Sequence, residues 1–343
     1  VSAPTLTAMR ARRSRRALLV TLSLSGVALA LALLTISIGA SGVSVSEIVA
    51  LLLGRGDSGA EFVIMTLRLP RLLMAALTGV AFGLAGALFQ SVLRNPLASP
   101  DIIGVSAGAS VGAILGLLVL GATGTMVQLF AFVGAVGVAL LIYVLAWRRG
   151  IAGYRFVLIG IAIAMMANAT ISFLLARAED REVASALIWT VGSIGTVRWS
   201  ELLVVVVGVA VLLPVVALVA RSLSVLGLGD DTATGLGAPV ARTRVAVILI
   251  GAALTAIAAA AVGPLAFVAF VSAPIARRML RDGSLALVPS ALVGAVVVLL
   301  ADFVASRLIP GAVAVPAGVV TGLIGAPYLL WLLSRSARIG KVE

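Results

Sequence analysis

Few side chains in this 343-residue chain can do chemistry, and they lie in short polar segments between long apolar runs. Arg68-Leu69-Pro70-Arg71 sets two cations three residues apart, a spacing that a helix presents on one face. Such a pair reads either as arginines snorkelling at headgroup level or, together with Arg307, as a docking patch for an acidic partner. Asn95-Pro96-Leu97, followed by Ser99-Pro100-Asp101, makes a tight turn. Ser99 is expected to cap the next helix, Pro100 to suit its first turn and Asp101 to complement its dipole. This segment is either a well-made turn or a rigid constriction at the mouth of a path. In Leu228-Gly229-Asp230-Asp231-Thr232-Ala233-Thr234-Gly235-Leu236-Gly237, Gly229 and Gly237 punctuate a short helix opened by Asp230 and Asp231. That helix is an ordinary connection or a knob for a partner protein. Asp302 is the single acid within the apolar runs, and an interfacial ion pair with nearby Arg307 is its expected role rather than a proton relay.

The missing residue types narrow the choice. The chain has no His and no Cys, hence no imidazole base, thiolate, disulfide or zinc cluster. Its one lysine is Lys341, so no G-x-x-x-x-G-K-[ST] phosphate loop occurs and the chain cannot hydrolyse ATP alone. A Ser/His/Asp set is impossible, and an intramembrane aspartyl enzyme would need a second carboxylate. No catalytic residue and no metal site is expected. Met165-Met166 is the only adjacent soft pair, a poor match for a bare transition metal. A passive conduit powered by another protein remains.

The elements that must position these residues are membrane spans. Hydrophobic residues make up 62% and charged residues 11%, with mean hydropathy +1.24. Soluble domains hold roughly 45–50% and about 25%. Ten runs reach the length needed to cross a bilayer as helix: 17–39, 72–93, 102–121, 125–146, 156–176, 202–220, 245–263, 264–280, 286–306 and 316–334. Gly263-Pro264 divides one overlong apolar stretch, so 264–280 is a full span or a re-entrant segment. With the N-terminus inside, eighteen of the twenty-five basic residues fall on the cytoplasmic side, which places both termini in the cytoplasm. Trp147 and Trp331 then lie near inner span ends, and Trp189 and Trp199 near the outer surface. Arg15-Arg16 anchors the first span rather than opening an export signal. The expected organisation is a basic cytoplasmic tail (1–16), a ten-span domain (17–334) and a cytoplasmic C-terminal tail (335–343). Ten spans divide into two five-helix halves of opposite orientation, an inverted repeat in an all-α polytopic fold. Glycines at four-residue spacing, Gly104, Gly108, Gly112 and Gly116, with Gly79, Gly83 and Gly86 and with Gly318, Gly322 and Gly325, serve close helix packing or a smooth pore wall.

At these residues the sequence resembles the ten-span permease subunits (FecCD-type) of bacterial ATP-binding-cassette importers for iron–siderophore, haem and vitamin B12. The motifs occur in order along nearly the whole chain: Arg68-Leu69-Pro70-Arg71, Gly86-Ala87-Leu88-Phe89-Gln90, Arg94-Asn95-Pro96-Leu97-Ala98-Ser99-Pro100-Asp101, Gly104-Val105-Ser106-Ala107-Gly108-Ala109, Leu228-Gly229-Asp230-Asp231-Thr232-Ala233, Gly263-Pro264-Leu265-Ala266-Phe267-Val268, Ala301-Asp302-Phe303-Val304-Ala305-Ser306-Arg307, and Pro316 through Pro327.

The resemblance implies a permease homo- or heterodimer in the bacterial plasma membrane with a central path at its interface. Two cytoplasmic ATPases, which carry the ATP-Mg, dock on the helix around Leu228, Gly229, Asp230, Asp231, Thr232, Ala233, Gly235 and Leu236. An extracytoplasmic binding protein delivers substrate, its acidic residues meeting Arg68, Arg71 and Arg307. Asn95 and Leu97 form the cytoplasmic gate, and Asn168, Thr170 and Ser172 line the pathway. The family commonly has Pro-His near the inner end of span eight, where this chain has Ala273-Pro274-Ile275. An iron–siderophore is the first substrate choice, haem or cobalamin the second. An ion-coupled secondary transporter is the rival class.

Overall fold

In lipid the backbone must satisfy its own hydrogen bonds, and uninterrupted apolar runs do so as helices. The computed structural model describes residues 3–38, 58–147, 153–309 and 315–339, and the regular structure there is helical. Helix α1 is Ala3–Ser37 and already includes most of the basic leader. A one-turn helix, Ser58–Glu61, and a π-helical stretch, Phe62–Arg68, lead into α2, Leu69–Val92. Next come α3 (Val105–Ile114, with a π-helical end Leu115–Val119), α4 (Thr125–Ala146), α5 (Gly153–Leu175) and α6 (Asp180–Val191). The remainder is α7 (Trp199–Leu226), α8 (Asp230–Gly235), α9 (Val240–Val262), α10 (Val268–Leu280), α11 (Leu287–Phe303, ending π-helically at Leu308) and α12 (Ala317–Ile339).

Among the described residues eight helices are long and apolar enough to cross a membrane: α1, α2 with its lead-in, α4, α5, α7, α9, α11 and α12. The chain is therefore an all-α polytopic membrane protein. Two expected spans are shorter than their apolar runs. Residues 263–267 are non-helical, so the run 264–280 yields only the 13 residues of α10, roughly 20 Å of helix. The third run starts at Val105 and not at 102, behind Gly104 at φ +91°. Ser99 consequently does not cap α3. It closes the preceding turn, its hydroxyl accepting from the Asp101 N–H (3.3 Å) and its carbonyl from the Ile103 N–H (3.2 Å). The left-handed Gly104 is what separates that turn from the helix. The segment 177–201, between the expected spans 156–176 and 202–220, contains α6. The stretch 40–71 and the tail beyond 334 lie largely outside the described residues or side chains.

Helix α2 is the centre of the bundle, flanked by α9, α10 and α11. Phe82, Leu88 and Ala85 on it have no solvent exposure. Its glycines set the crossings. A methyl group at Gly79 would come 2.5 Å from the Gly294 carbonyl oxygen, and one at Gly83 or Gly86 would overlap the carbonyl of Ser290 or Ala269. Gly112 meets the Phe130 carbonyl of α4 in the same way. With no hydrophobic drive between helices in lipid, this backbone proximity supplies the dispersion contact that holds them. Gly79, Gly83, Gly86 and Gly112 are packing positions, whereas Gly322 of α12 has nothing within 4 Å of where a methyl would stand.

Arg13 of α1 bonds Asp282 at 2.8 Å, Arg16 donates to the Met279 carbonyl, and Arg278 stacks 4.3 Å over the Trp331 ring of α12. The start of α1 and the latter part of α12 thus share one end of the bundle, the end that also carries α8.

Candidate functional site: a clamped turn, a capped knob and an arginine cavity

The end of α2 is built as a helix stop. Arg94 has φ +49°, and the Asn95 N–H reaches back to the Gln90 carbonyl (3.2 Å) while the Arg94 N–H reaches Ser91 (3.4 Å). That is the paired closure in which glycine usually takes the left-handed position. Asn95 then folds its side chain over the turn, its Oδ1 accepting from the Leu97 N–H at 2.9 Å, with Pro96 fixing φ between them. Asn95 and Pro96 are exposed. Leu97 is half-buried and lines a cavity of about 420 Å3 with Ser99, Asp101, Phe267, Phe270 and Leu333. Inside the turn the Asp101 carboxylate accepts from the Ser106 hydroxyl (2.5 Å) and from Ser99 (3.2 Å). Burial pushes the Asp101 carboxyl up, and the two hydroxyl bonds oppose that push.

The knob is α8. It forms where the glycine punctuation puts it, with Gly229 at its N-cap (φ +110°) and Gly237 at φ +78° beyond its end. Ala233 is buried beneath it, while Leu228 and Leu236 project at 63% and 65% exposure. Asp231 and Thr232 are on its exposed or half-exposed face, and Gly235 has nothing within 4 Å of where a methyl would stand. Asp230 is not a free acid. Its carboxylate accepts from Arg244 Nη2 (2.9 Å) at the start of α9 and from Arg94 Nη2 (2.5 Å) at the end of α2. The bond from Arg244 holds the Asp230 carboxyl below its ordinary range; burial opposes it, and the two guanidinium charges with the Arg94 bond add to the lowering.

At the opposite end of α2 the three expected docking arginines come together. Arg68, Arg71 and Arg307 line one cavity of about 290 Å3 with Asp302, Thr35 and Ser306. Their roles are unequal. Arg68 is buried and its guanidinium donates to the Ile36 carbonyl at the end of α1. Arg71 makes a forked contact with Asp302, Nη2 to Oδ1 at 2.8 Å and Nε to Oδ2 at 3.2 Å. Asp302 is therefore paired with Arg71 and not with Arg307. One turn of helix separates Asp302 from Ser306, whose hydroxyl donates back to the Asp302 carbonyl (2.6 Å), and Arg71 approaches from the neighbouring α2. Arg307 keeps a buried Nε with no hydrogen-bond partner among the described residues.

The three polar residues of α5 do not share a face. All three are exposed; Asn168 and Ser172 are four apart, and Thr170 stands on the other side, beside a groove of about 490 Å3 that also touches Gly112, Phe130 and Met166. Its hydroxyl donates to the Met166 carbonyl at 2.9 Å.

Three residues given no role from sequence prove structural to the site: Arg94, Arg244 and Arg277. Arg277 of α10 grips the last turn of α2 through the Ser91 hydroxyl (2.8 Å) and the Gln90 side chain (3.3 Å). Arg94 was visible as part of a motif. Its partner lies 136 positions away, beyond any local spacing rule.

Comparison with known proteins covers nearly the whole chain. The model of the FecCD transport family matches residues 26–335. The ferric enterobactin transport system permease protein FepG of Escherichia coli (strain K12) is 37% identical over 325 residues, covering 95% of this chain and 98% of that protein. The Fe(3+)-citrate import system permease protein YfmE of Bacillus subtilis (strain 168) is 36% identical, covering 95% and 98%. Among solved structures, one described as a metal-chelate type ABC transporter in an inward-facing conformation superposes with a TM-score of 0.80 at 26% identity, covering 93% of this chain and 99% of that one.

Proposed function

The chain belongs to the FecCD transport family, and from that premise we propose the part each end of the bundle plays. The chain is a non-catalytic permease subunit of an ABC-type importer for an iron–siderophore or related metal chelate. Relatives named for ferric enterobactin and Fe(3+)-citrate support that substrate class. One observation carries the division of labour: a solvent-facing capped helix, α8, stands at one end of α2 and an arginine-lined cavity at the other, in a chain without a phosphate loop. The α8 end faces the cytoplasm and docks an ATPase through Leu228–Leu236. The arginine end faces outward and receives the acidic surface of a binding protein. Two permease copies or relatives, two ATPases and one binding protein make up the complex in the plasma membrane, with ATP-Mg on the ATPases.

Ten crossings in two inverted halves are supported by a correspondence within the fold. Counting α6 and α8 as connections, α3 and α10 are the third and eighth crossings. Both are short, and both start behind a left-handed residue, Gly104 and Phe267. Interrupted segments at matching positions are the mark of inverted repeats. Asn95 and Leu97 form the inner gate, and Asn168 and Ser172 on the open face of α5 turn toward the path at the dimer interface.

Co-purification of the complex with its binding protein, followed by mass identification of the bound ligand, tests this reading. An iron chelate is expected. Substrate uptake into vesicles by this chain alone, without ATP, would overturn it.

A further inference from the structure

We propose that Arg94 is the positioning residue through which α8 moves the gate turn. The proposal rests on the reading of α8 as the ATPase-docking helix and of Asn95-Pro96-Leu97 as the inner gate. Arg94 occupies the left-handed position that closes α2, where a side chain costs about 1 kcal/mol relative to glycine. Its guanidinium spans to two other elements. It donates to the Leu226 carbonyl at the end of α7 (2.6 Å), where a cation complements the helix dipole, and to Asp230 at the start of α8 (2.5 Å). The residue next to it in sequence begins the gate. A displacement of α8 therefore pulls on the backbone joint from which Asn95, Pro96 and Leu97 hang.

The joint is suited to yield. Only two backbone hydrogen bonds close it, at 3.2 and 3.4 Å, at and just beyond the upper end of the ordinary range. The last turn of α2 is meanwhile held from the other side by Arg277 on Ser91 and Gln90, and Gln90 also donates to the Phe270 carbonyl (2.9 Å). A fixed helix end, a weak joint and a charged arm reaching the docking helix together form a lever. Arg244 binds the same Asp230 carboxylate from α9, whereas Arg94 is joined to the turn by the peptide bond to Asn95, so Arg244 serves as the anchor against which the lever is compared.

The test uses the reconstituted complex with its ATPase and binding protein, carrying Leu97→Cys in this cysteine-free chain. The quantity read is the ratio of thiol-labelling rates at that position between the nucleotide-free and ATP-trapped states. Arg94→Gly removes the arm while giving the left-handed joint its preferred residue, so the variant is expected to assemble. It should reduce the ratio by about fivefold or more, the lower end of ordinary coupling between sites, with basal ATP hydrolysis retained. Arg94→Lys, which keeps a cation beside Asp230, should restore part of the ratio. Arg244→Gln should leave it close to that of the parent. An undiminished ratio in Arg94→Gly overturns the lever while leaving the docking and gate assignments standing. Equal loss in Arg94→Gly and Arg244→Gln also overturns it, because Asp230 would then need only neutralisation. A ratio of one with Arg94 intact removes the gate assignment itself, and the lever with it.

Discussion

Arg71 and Asp302, 231 positions apart in the chain, meet as a forked ion pair between α2 and α11, with the carboxylate 2% exposed and the guanidinium 34%. A buried acid of this kind is tolerated because its partner is in place. Arg71→Ala strands the carboxylate and should lower the stability of the solubilised protein by about 2–4 kcal/mol, less than for a fully buried pair because Arg71 retains water. Replacing both residues by Leu should recover most of that loss. Thermal unfolding in detergent of the single and double variants reads the difference.

Gly235 faces open space and Leu236 is exposed, so changes there spare the fold. Gly235→Arg or Leu236→Asp should insert and assemble in the membrane yet lose substrate-stimulated ATP hydrolysis in the reconstituted complex. Stimulation at the parental level would remove α8 as the docking helix.

Binding-protein docking is best probed at Arg307, because Arg68 and Arg71 have structural partners of their own. Arg307→Gln should weaken capture of the binding protein by up to about fivefold at low ionic strength, the worth of one partly screened contact. Added salt should abolish the difference between variant and parent. A triple Arg→Glu change would abolish capture but would also disrupt the α1–α2–α11 contacts, so the single variant is the cleaner measurement.

Asp230 confers a pH dependence whose sign is set by its lowered pKa. A depressed carboxylate contributes stability that is complete above its unfolded value, about 3.9, and is lost as pH falls through the lower folded value. The clamp from Arg94 and Arg244 should hence be intact at neutral pH and open only in strong acid. Melting temperatures of the parent and of Asp230→Asn should differ at pH 6 and converge as the pH drops below about 3.9. The gap should be small, under about 1 kcal/mol, since the pair is solvent-accessible.

Leu97 supplies the apolar surface of the Asn95-Pro96-Leu97 turn, and its side chain is neither fully buried nor fully exposed. Leu97→Gly should fold nearly as well as the parent and admit small solutes into proteoliposomes without ATP. Tight vesicles would move the seal elsewhere, with Asn168 on α5 the next position to test.

Composition and spacing were enough to read the class of fold, because a bilayer demands long apolar helices and the chain writes them as uninterrupted runs. They also located α8, since Gly229 and Gly237 stop a helix by local backbone geometry alone. The turn at Asn95-Pro96-Leu97 was legible for the same reason: proline and an asparagine side chain act on their immediate neighbours. What tertiary structure decided is every partnership across the bundle. Asp302 has Arg307 nearby in sequence, but α2 delivers Arg71 to it from another helix. Ser99 looks like a helix cap, but Gly104 turns the chain left-handed before α3 can begin. The resemblance puts Asn168, Thr170 and Ser172 together along the pathway, but a 3.6-residue turn puts Thr170 on the far side of α5 from the other two. Arg94 was visible only as the start of a motif, and only the folding of α7 and α8 against the end of α2 brings Leu226 and Asp230 within its reach. Local rules act over about one helical turn, and charge pairing acts over any separation that the packing of glycine-lined helices closes.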